Sequence, residues 1–297
     1  MTKNQVYEDR YHFTPAENKR FARSNFTKLV HTNSRFEGVN TTLPQTQTIM
    51  DGMSVAGVPV EDVLTIVNLK RGWQYITTLN EPLTLTMEKQ INKIVAAEDA
   101  LVPGELRQGQ GGVDLGSEEF FEPPLVDEQE EQIFLQKTLA NSQTTTTDKA
   151  LTVLYHNMRQ QIFWDGNKRT ATISANKIMI DGGAGLINVP LDQWDHWNDL
   201  IADYYRTNDM NKIKQWTYDN AIQGLEIRAD KKLSANELNE MYKKAKKKKN
   251  QLELEMVKEE ISKRTQNQLK DFVKDNSDLK IKNPMNDAEN KNDRPNY

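Results

Sequence analysis

The chain of 297 residues contains no cysteine at all. Disulfides, thiolate metal sites and cysteine nucleophiles are thereby excluded, and the composition suits a reducing compartment. Histidine is scarce too, with four in the whole chain. No apolar run is long enough to span a bilayer, and the polar N-terminal residues lack a signal-peptide apolar stretch. The expectation is a soluble, cytoplasmic protein with no membrane association. Excess basic charge is also missing: 39 Lys/Arg against 43 Asp/Glu leave a net charge of −4. The balance is uneven, since residues 230–297 hold 17 basic and 13 acidic residues, leaving 22 and 30 in the rest. An acidic body argues against a domain-wide nucleic-acid footprint.

With 36% apolar residues the chain can bury one sizeable core plus an appendage. Its most informative stretch is Gln161-Ile162-Phe163-Trp164-Asp165-Gly166-Asn167-Lys168-Arg169-Thr170-Ala171. Upstream, Ala150, Leu151, Leu154, Tyr155 and Met158 recur at helical spacing; downstream, Ala171, Ile173, Ala175, Ile178 and Met179 do the same. A polar loop between two helices, with Asp165, Gly166 and Asn167 as turn and cap residues, aims the free N–H groups of a helix starting near Lys168 at an anion. Lys168 and Arg169 add cationic donors, and Arg can hold phosphate oxygens bidentately. A carboxylate such as Asp165 is the ligand type that holds Mg²⁺ against a nucleotide diphosphate. Phe163 and Trp164 are expected to anchor the loop in the core.

These residues resemble the signature of the Fic (Fido) family, HPFxDGN[GK]RxxR. Phe163, Asp165, Gly166, Asn167, Lys168 and Arg169 match it, and Thr170 and Ala171 follow as in the DGNKRTA branch. The resemblance implies an all-α helical bundle over about residues 25–225, with a small β-hairpin flap. It implies transfer of AMP, or another nucleotide-derived phosphate group, from ATP or another nucleotide with Mg²⁺ to a Ser, Thr or Tyr hydroxyl of a protein. Asp165 would be the metal ligand, and Gly166, Asn167, Lys168 and Arg169 the phosphate-binding set; Lys168 and Arg169, with the position of Gln161, would form the catalytic group. Gln161 stands where the family has the proton-accepting His, and Thr172 where many members have a second Arg. Losing a positioned general base typically costs about 10²–10⁴-fold. The nearby imidazole, His156, lies five residues before Gln161, about 140° around a helix, and so would face elsewhere. Two other readings stay open: a phosphotransferase like the Doc toxin branch of toxin–antitoxin pairs, and a silent nucleotide-binding or interaction module.

Upstream, residues 1–24 read as an N-terminal arm whose Tyr7, Tyr11, His12 and Phe13 dock on the body. A helical pattern runs from Phe21 to Thr32. The following Asn33-to-Leu43 stretch resembles the inhibitory motif [ST]xxxEGN, in which the Glu pairs with the second Arg. Glu37 and Gly38 are in place and mark a regulatory element, but Asn33 replaces the Ser or Thr, and Thr172 removes the expected Arg partner. A plain helix end with Gly38 as cap explains the same residues.

Helices are expected from Thr46 to Asn80 with a break at Gly57-Val58-Pro59, from Leu85 to Ala97 and from Asp127 to Leu139. Others are expected from an Asp148 cap to Gln161, from Leu191 to Tyr205 and from Ile213 to Ile227. The Gly-rich 103–125 segment fits a hairpin. By resemblance it is the flap that adds a target strand, with Arg107 near the mouth and Gly109 and Val113 on a docking edge; a flexible connector is the plainer reading. The Fic-like domain is thus assigned to 25–228, a charged helical extension to 229–275 and a disordered tail to 276–297. The Lys-rich 243–249 stretch is either a solvated helix face or a surface for nucleic acid or an acidic partner.

Overall fold

The computed structural model describes residues 7–116 and 119–225. The charged extension, the tail and the Lys-rich 243–249 stretch lie outside the described residues. Within them the fold is all-α with a small β-hairpin, as expected, and it carries a second two-stranded antiparallel sheet that was not expected.

Ten α-helices follow in order among the described residues: α1 (Pro15–Ser24), α2 (Phe26–Ser34), α3 (Leu43–Met50), α4 (Val60–Thr78), α5 (Leu85–Val95), α6 (Glu128–Ala140), α7 (Thr146–Gln160), α8 (Asn167–Gly182), α9 (Trp194–Thr207) and α10 (Asn211–Asn220). The first hairpin pairs β1 (Val113–Gly116) with β2 (Glu119–Phe121), in register Val113↔Phe121. The second sheet pairs β3 (Leu186–Ile187) with β4 (Ile222–Gln223).

Side-chain caps open five of these ten helices. Thr14 and Glu17 form a reciprocal capping box on α1, Thr42 and Gln45 one on α3, and Asp127 accepts two N–H groups of α6. The Thr14 box overturns the expected Phe21–Thr32 helix. The chain is already helical from Pro15, and it breaks at Asn25, whose N–H caps α1 through Ala22 and Arg23. Thr145, not Asp148, caps α7; the Asp148 carboxylate instead takes Lys214, inside the fold. The last expected helix stops at Asn220 because Ile222 and Gln223 pair with Ile187 and Leu186.

At the centre lies α8, with Asn167 and every residue from Arg169 to Ile180 buried. A helix buried all round must satisfy its polar groups internally. Asn176 accordingly bridges Thr172 O and both backbone groups of Ile187, and Lys177 Nζ is held by Asp181 at 2.6 Å. The arm does dock. Asp9 accepts the N–H groups of Thr146 and Thr147 at the start of α7, and Phe13 N donates to Gly183 O at 2.8 Å. Gly183 has no room for a side chain: a Cβ there would stand 1.9 Å from Phe13 O. The arm therefore ties the start of α7 to the end of α8, which fixes the hairpin carrying the loop at 161–166.

Candidate functional site

Between α7 and α8 the chain turns through Gln161 in the left-handed region (φ 50°) and Gly166 (φ 69°). The loop is braced from inside by Asn167, whose amide accepts from Phe163 N and donates to Phe163 O, both at 2.9 Å. From outside it is braced by Asn92 of α5. The Asn92 amide donates to Asp165 O (2.8 Å) and Thr170 Oγ1 (3.1 Å) and accepts from Gly104 N (2.9 Å). Only glycine fits at 166, where a Cβ would meet Ala96 Cβ at 2.7 Å besides requiring positive φ. Phe163 is core as expected, in a cluster with Leu85, Leu106 and Ile162. Trp164 is half-buried, its ring against Gly109.

The first intrahelical bond closed on the loop is Thr170 N to Gly166 O. The N–H groups of Asn167, Lys168 and Arg169 therefore lie in the unpaired first turn, where the helix dipole favours negative charge. Beside them the guanidinium of Arg169 is fully buried. Its Nη1 donates to Val95 O at 2.6 Å and Asp99 Oδ2 at 2.7 Å. Its Nε lies 2.6 Å from Glu37 Oε1 and its Nη2 3.5 Å from Asp165 Oδ1. Neither Nε nor Nη2 is aligned for a hydrogen bond, so two buried donors are left to charge attraction alone.

Glu37 ends a 3-10 turn (Arg35–Glu37) that follows α2 and is closed by Gly38 at φ 72°. From the sequence, Thr172 at the second-Arg position leaves Glu37 without an arginine. The structure corrects that reading. Glu37 pairs with Arg169 itself, while Thr172 Oγ1 bonds back to Lys168 O at 2.9 Å. Burial raises the Glu37 pKa, Arg169 and Lys168 oppose the rise, and Asp165 and Asp99 add to it. Burial lowers the Lys168 pKa, with Glu37 opposing. Around this one guanidinium three carboxylates converge, from Glu37, Asp99 and Asp165.

Two other expectations change. Arg107, expected at the mouth for a target, is buried. Its guanidinium donates to the carbonyls of Gly109, Pro124, Gln160 and Gln161, so it is a strut joining the base of the β1–β2 flap to the end of α7. The Asn167 amide, expected on a phosphate, is consumed at both ends by Phe163. Val113 does sit in the flap, paired with Phe121, whereas Gly109 precedes the strand and lies against the Trp164 ring.

Gln161 is drawn back onto its own helix: Nε2 donates to Met158 O at 2.6 Å and stands 3.5 Å from the Tyr205 hydroxyl, which also donates to Met158 O, at 2.7 Å. His156 faces elsewhere, as its helical phase predicts, paired with Glu131 at 2.7 Å and stacked on Phe134. Asp165 is half-exposed, with Oδ1 accepting from Gly166 N. Among the described residues no three or more His, Asp or Glu gather as a metal site. One half-exposed carboxylate at an anion-type loop still fits Mg²⁺, which is often held by one or two carboxylates plus substrate phosphates.

Fold and site together define a helical domain whose central hairpin presents an anion-type loop beside a β-hairpin flap. Residues 82–179 match the sequence model of the Fic/DOC family, so a Fic/DOC family domain occupies that stretch. No curated protein matches the chain. Among solved structures, a Fic domain containing signaling protein from Bacteroides thetaiotaomicron VPI-5482 is similar with TM-score 0.60 and 17% identity, over 70% of this chain and 86% of that one. A Fic family protein from Desulfovibrio desulfuricans G20 gives TM-score 0.56 and 15% identity, covering 67% and 62%. Fic-1 from C. elegans gives 0.57 and 17%, covering 66% and 60%. At these identities the likeness is one of fold, and the chain spans less than two thirds of the last two.

Proposed function

We propose that the protein transfers AMP, or another nucleotide-derived phosphate group, to a hydroxyl of a protein substrate, with Glu37 restraining the nucleotide site and Gln161 slowing the chemistry. The observation that carries this reading is Arg169: a buried guanidinium with two donors lacking aligned partners, next to the open first turn of α8. A polyphosphate supplies the acceptors those donors lack. Glu37 holds the place a phosphate would take, so withdrawal of Glu37 is the step that opens the site.

In AMP transfer the substrate oxygen attacks the α-phosphorus of the nucleotide, the bond to the departing pyrophosphate breaks, and the proton of the attacking hydroxyl passes to solvent water. Asp165 would hold Mg²⁺, which spreads and neutralises phosphate charge during such a displacement. Lys168, Arg169 and the first-turn N–H groups orient the phosphates, a contribution that survives without a base. Gln161 cannot accept the proton. Its amide, turned back onto Met158 O, favours as second reading a module that binds nucleotide without transferring from it.

Intact-mass measurement decides between them, on the wild type and Gln161→His incubated with ATP, GTP or CTP plus Mg²⁺, alone and with a lysate. A nucleotide-monophosphate adduct supports the proposal. A bare phosphate adduct moves the reaction to Doc-like phosphotransfer, and nucleotide binding with no adduct in either protein favours the silent module.

A further inference from the structure

One helix touches the regulatory turn, the flap and the end of α7. α9 has 14 residues, which makes it about 20 Å long. At its N-terminal end the Phe36 ring lies 5.1 Å from Trp194 and 5.6 Å from Trp197, and Phe36 is the residue directly before Glu37. At its other end Tyr205 packs on Phe121 of β2, ring centres 5.1 Å apart. Next to it Arg206 grips both carboxylate oxygens of Glu119 at 2.7–3.0 Å. Arg159 of α7 closes the cluster, with its guanidinium 4.7 Å from the Phe121 ring centre and its Nε and Nη2 donating to Tyr205 O. Trp194 and Tyr205 are about three helical turns apart and so share a face. Between them Trp197 is fixed, its Nε1 donating to the Tyr155 hydroxyl of α7 at 3.2 Å.

We propose that α9 couples the flap to Glu37, so that an extended target segment engaging the flap favours withdrawal of Glu37 from Arg169. This rests on the reading that Glu37 restrains nucleotide binding. A target strand that draws β2 outward removes the Phe121–Tyr205 and Glu119–Arg206 contacts. α9 then shifts about its Trp197 anchor, and the seat of Phe36 against Trp194 loosens. Phe36 and Glu37 are adjacent in a three-residue turn, so a backbone shift that unseats Phe36 carries Glu37 with it. Linkage is reciprocal: what occupies Arg169 in place of Glu37 must loosen the flap by the same factor. The device would let nucleotide bind productively only with a target in place.

The test needs no identified target, because the latch can be cut from the flap side. Glu119–Arg206 is an exposed pair, which contributes little to stability, so Arg206→Ala should fold; Phe121→Leu provides a second variant. Hydrogen exchange is read at Gly38 N–H and Val39 N–H, which donate to Arg35 O and Ser34 O in the regulatory turn. Both variants should speed that exchange by about five-fold or more, the low end for coupled sites, and unchanged exchange overturns the coupling. In parallel, Mg²⁺–ATP affinity should rise in each variant in the wild-type background but not in Glu37→Gly. An equal rise in both backgrounds also overturns it. If exchange responds while ATP binds none of the proteins, the coupling stands and the nucleotide reading fails.

Discussion

Glu88 on α5 is a buried carboxylate one helical turn before Asn92, the residue that braces the loop. The Asn157 amide donates to its Oε1 at 2.7 Å, yet desolvation dominates and pushes its pKa from 4.5 up to about 7. The folded state therefore binds a proton that the unfolded state has released at intermediate pH. Stability from this group is fully present below about pH 4.5 and is lost as the pH rises through about 7. A shift of that size corresponds to about 3 kcal/mol. Glu88→Gln keeps an acceptor for Asn157 and cannot ionise. Urea unfolding from pH 5 to 8 is the assay, with both proteins at the same protein and salt concentrations. The variant should differ little from wild type near pH 5 and exceed it by roughly 2–3 kcal/mol at pH 8, other titrating groups cancelling in the difference. Parallel stability curves would refute the claim that a charge is forced into the core beneath the loop.

Gly166→Ala must bring its Cβ against Ala96 in a positive-φ turn; we expect a loss of about 1–3 kcal/mol by thermal unfolding, with nucleotide binding weakened along with it. Arg107→Ala leaves buried carbonyls without their donor, so stability should fall by about 2–4 kcal/mol, and hydrogen exchange should rise in the segment around Pro124 more than in α4. Gln161→His should convert weak or absent transfer into measurable transfer, since a neutral imidazole can take the proton near pH 7. A wild type that transfers well and loses activity on this change would mean that Gln161 orients the nucleophile.

The loop was legible in the sequence because its geometry is local. Gly166 and Asn167 sit between two strongly periodic helices, and such short-range signals survive without knowledge of the fold. The groups that position the loop were not legible. Asn92 and Asp99 act across 73 and 70 residues, and nothing in their local spacing distinguishes them from other polar residues on a helix and a turn. The same limit misplaced Arg107: a Gly-rich segment signals a hairpin, but not that its arginine turns inward onto four carbonyls. Thr172 misled in another way, since a missing arginine at one position said nothing about Arg169, three residues earlier, serving the same glutamate. The short β3–β4 pairing escaped because two-residue strands carry no period.

The central claim is that Glu37 occupies a polyphosphate site on Arg169. The most direct measurement is calorimetric titration of wild type and Glu37→Gly with ATP, GTP and CTP in the presence of Mg²⁺, then with EDTA. Removing the carboxylate that competes for Arg169, a close ion pair worth on the order of a few kcal/mol in a partly buried setting, should tighten Mg²⁺-dependent binding of at least one nucleotide by about 10–100-fold. If neither protein binds any nucleotide, or if Glu37→Gly binds no more tightly than wild type, the account is contradicted.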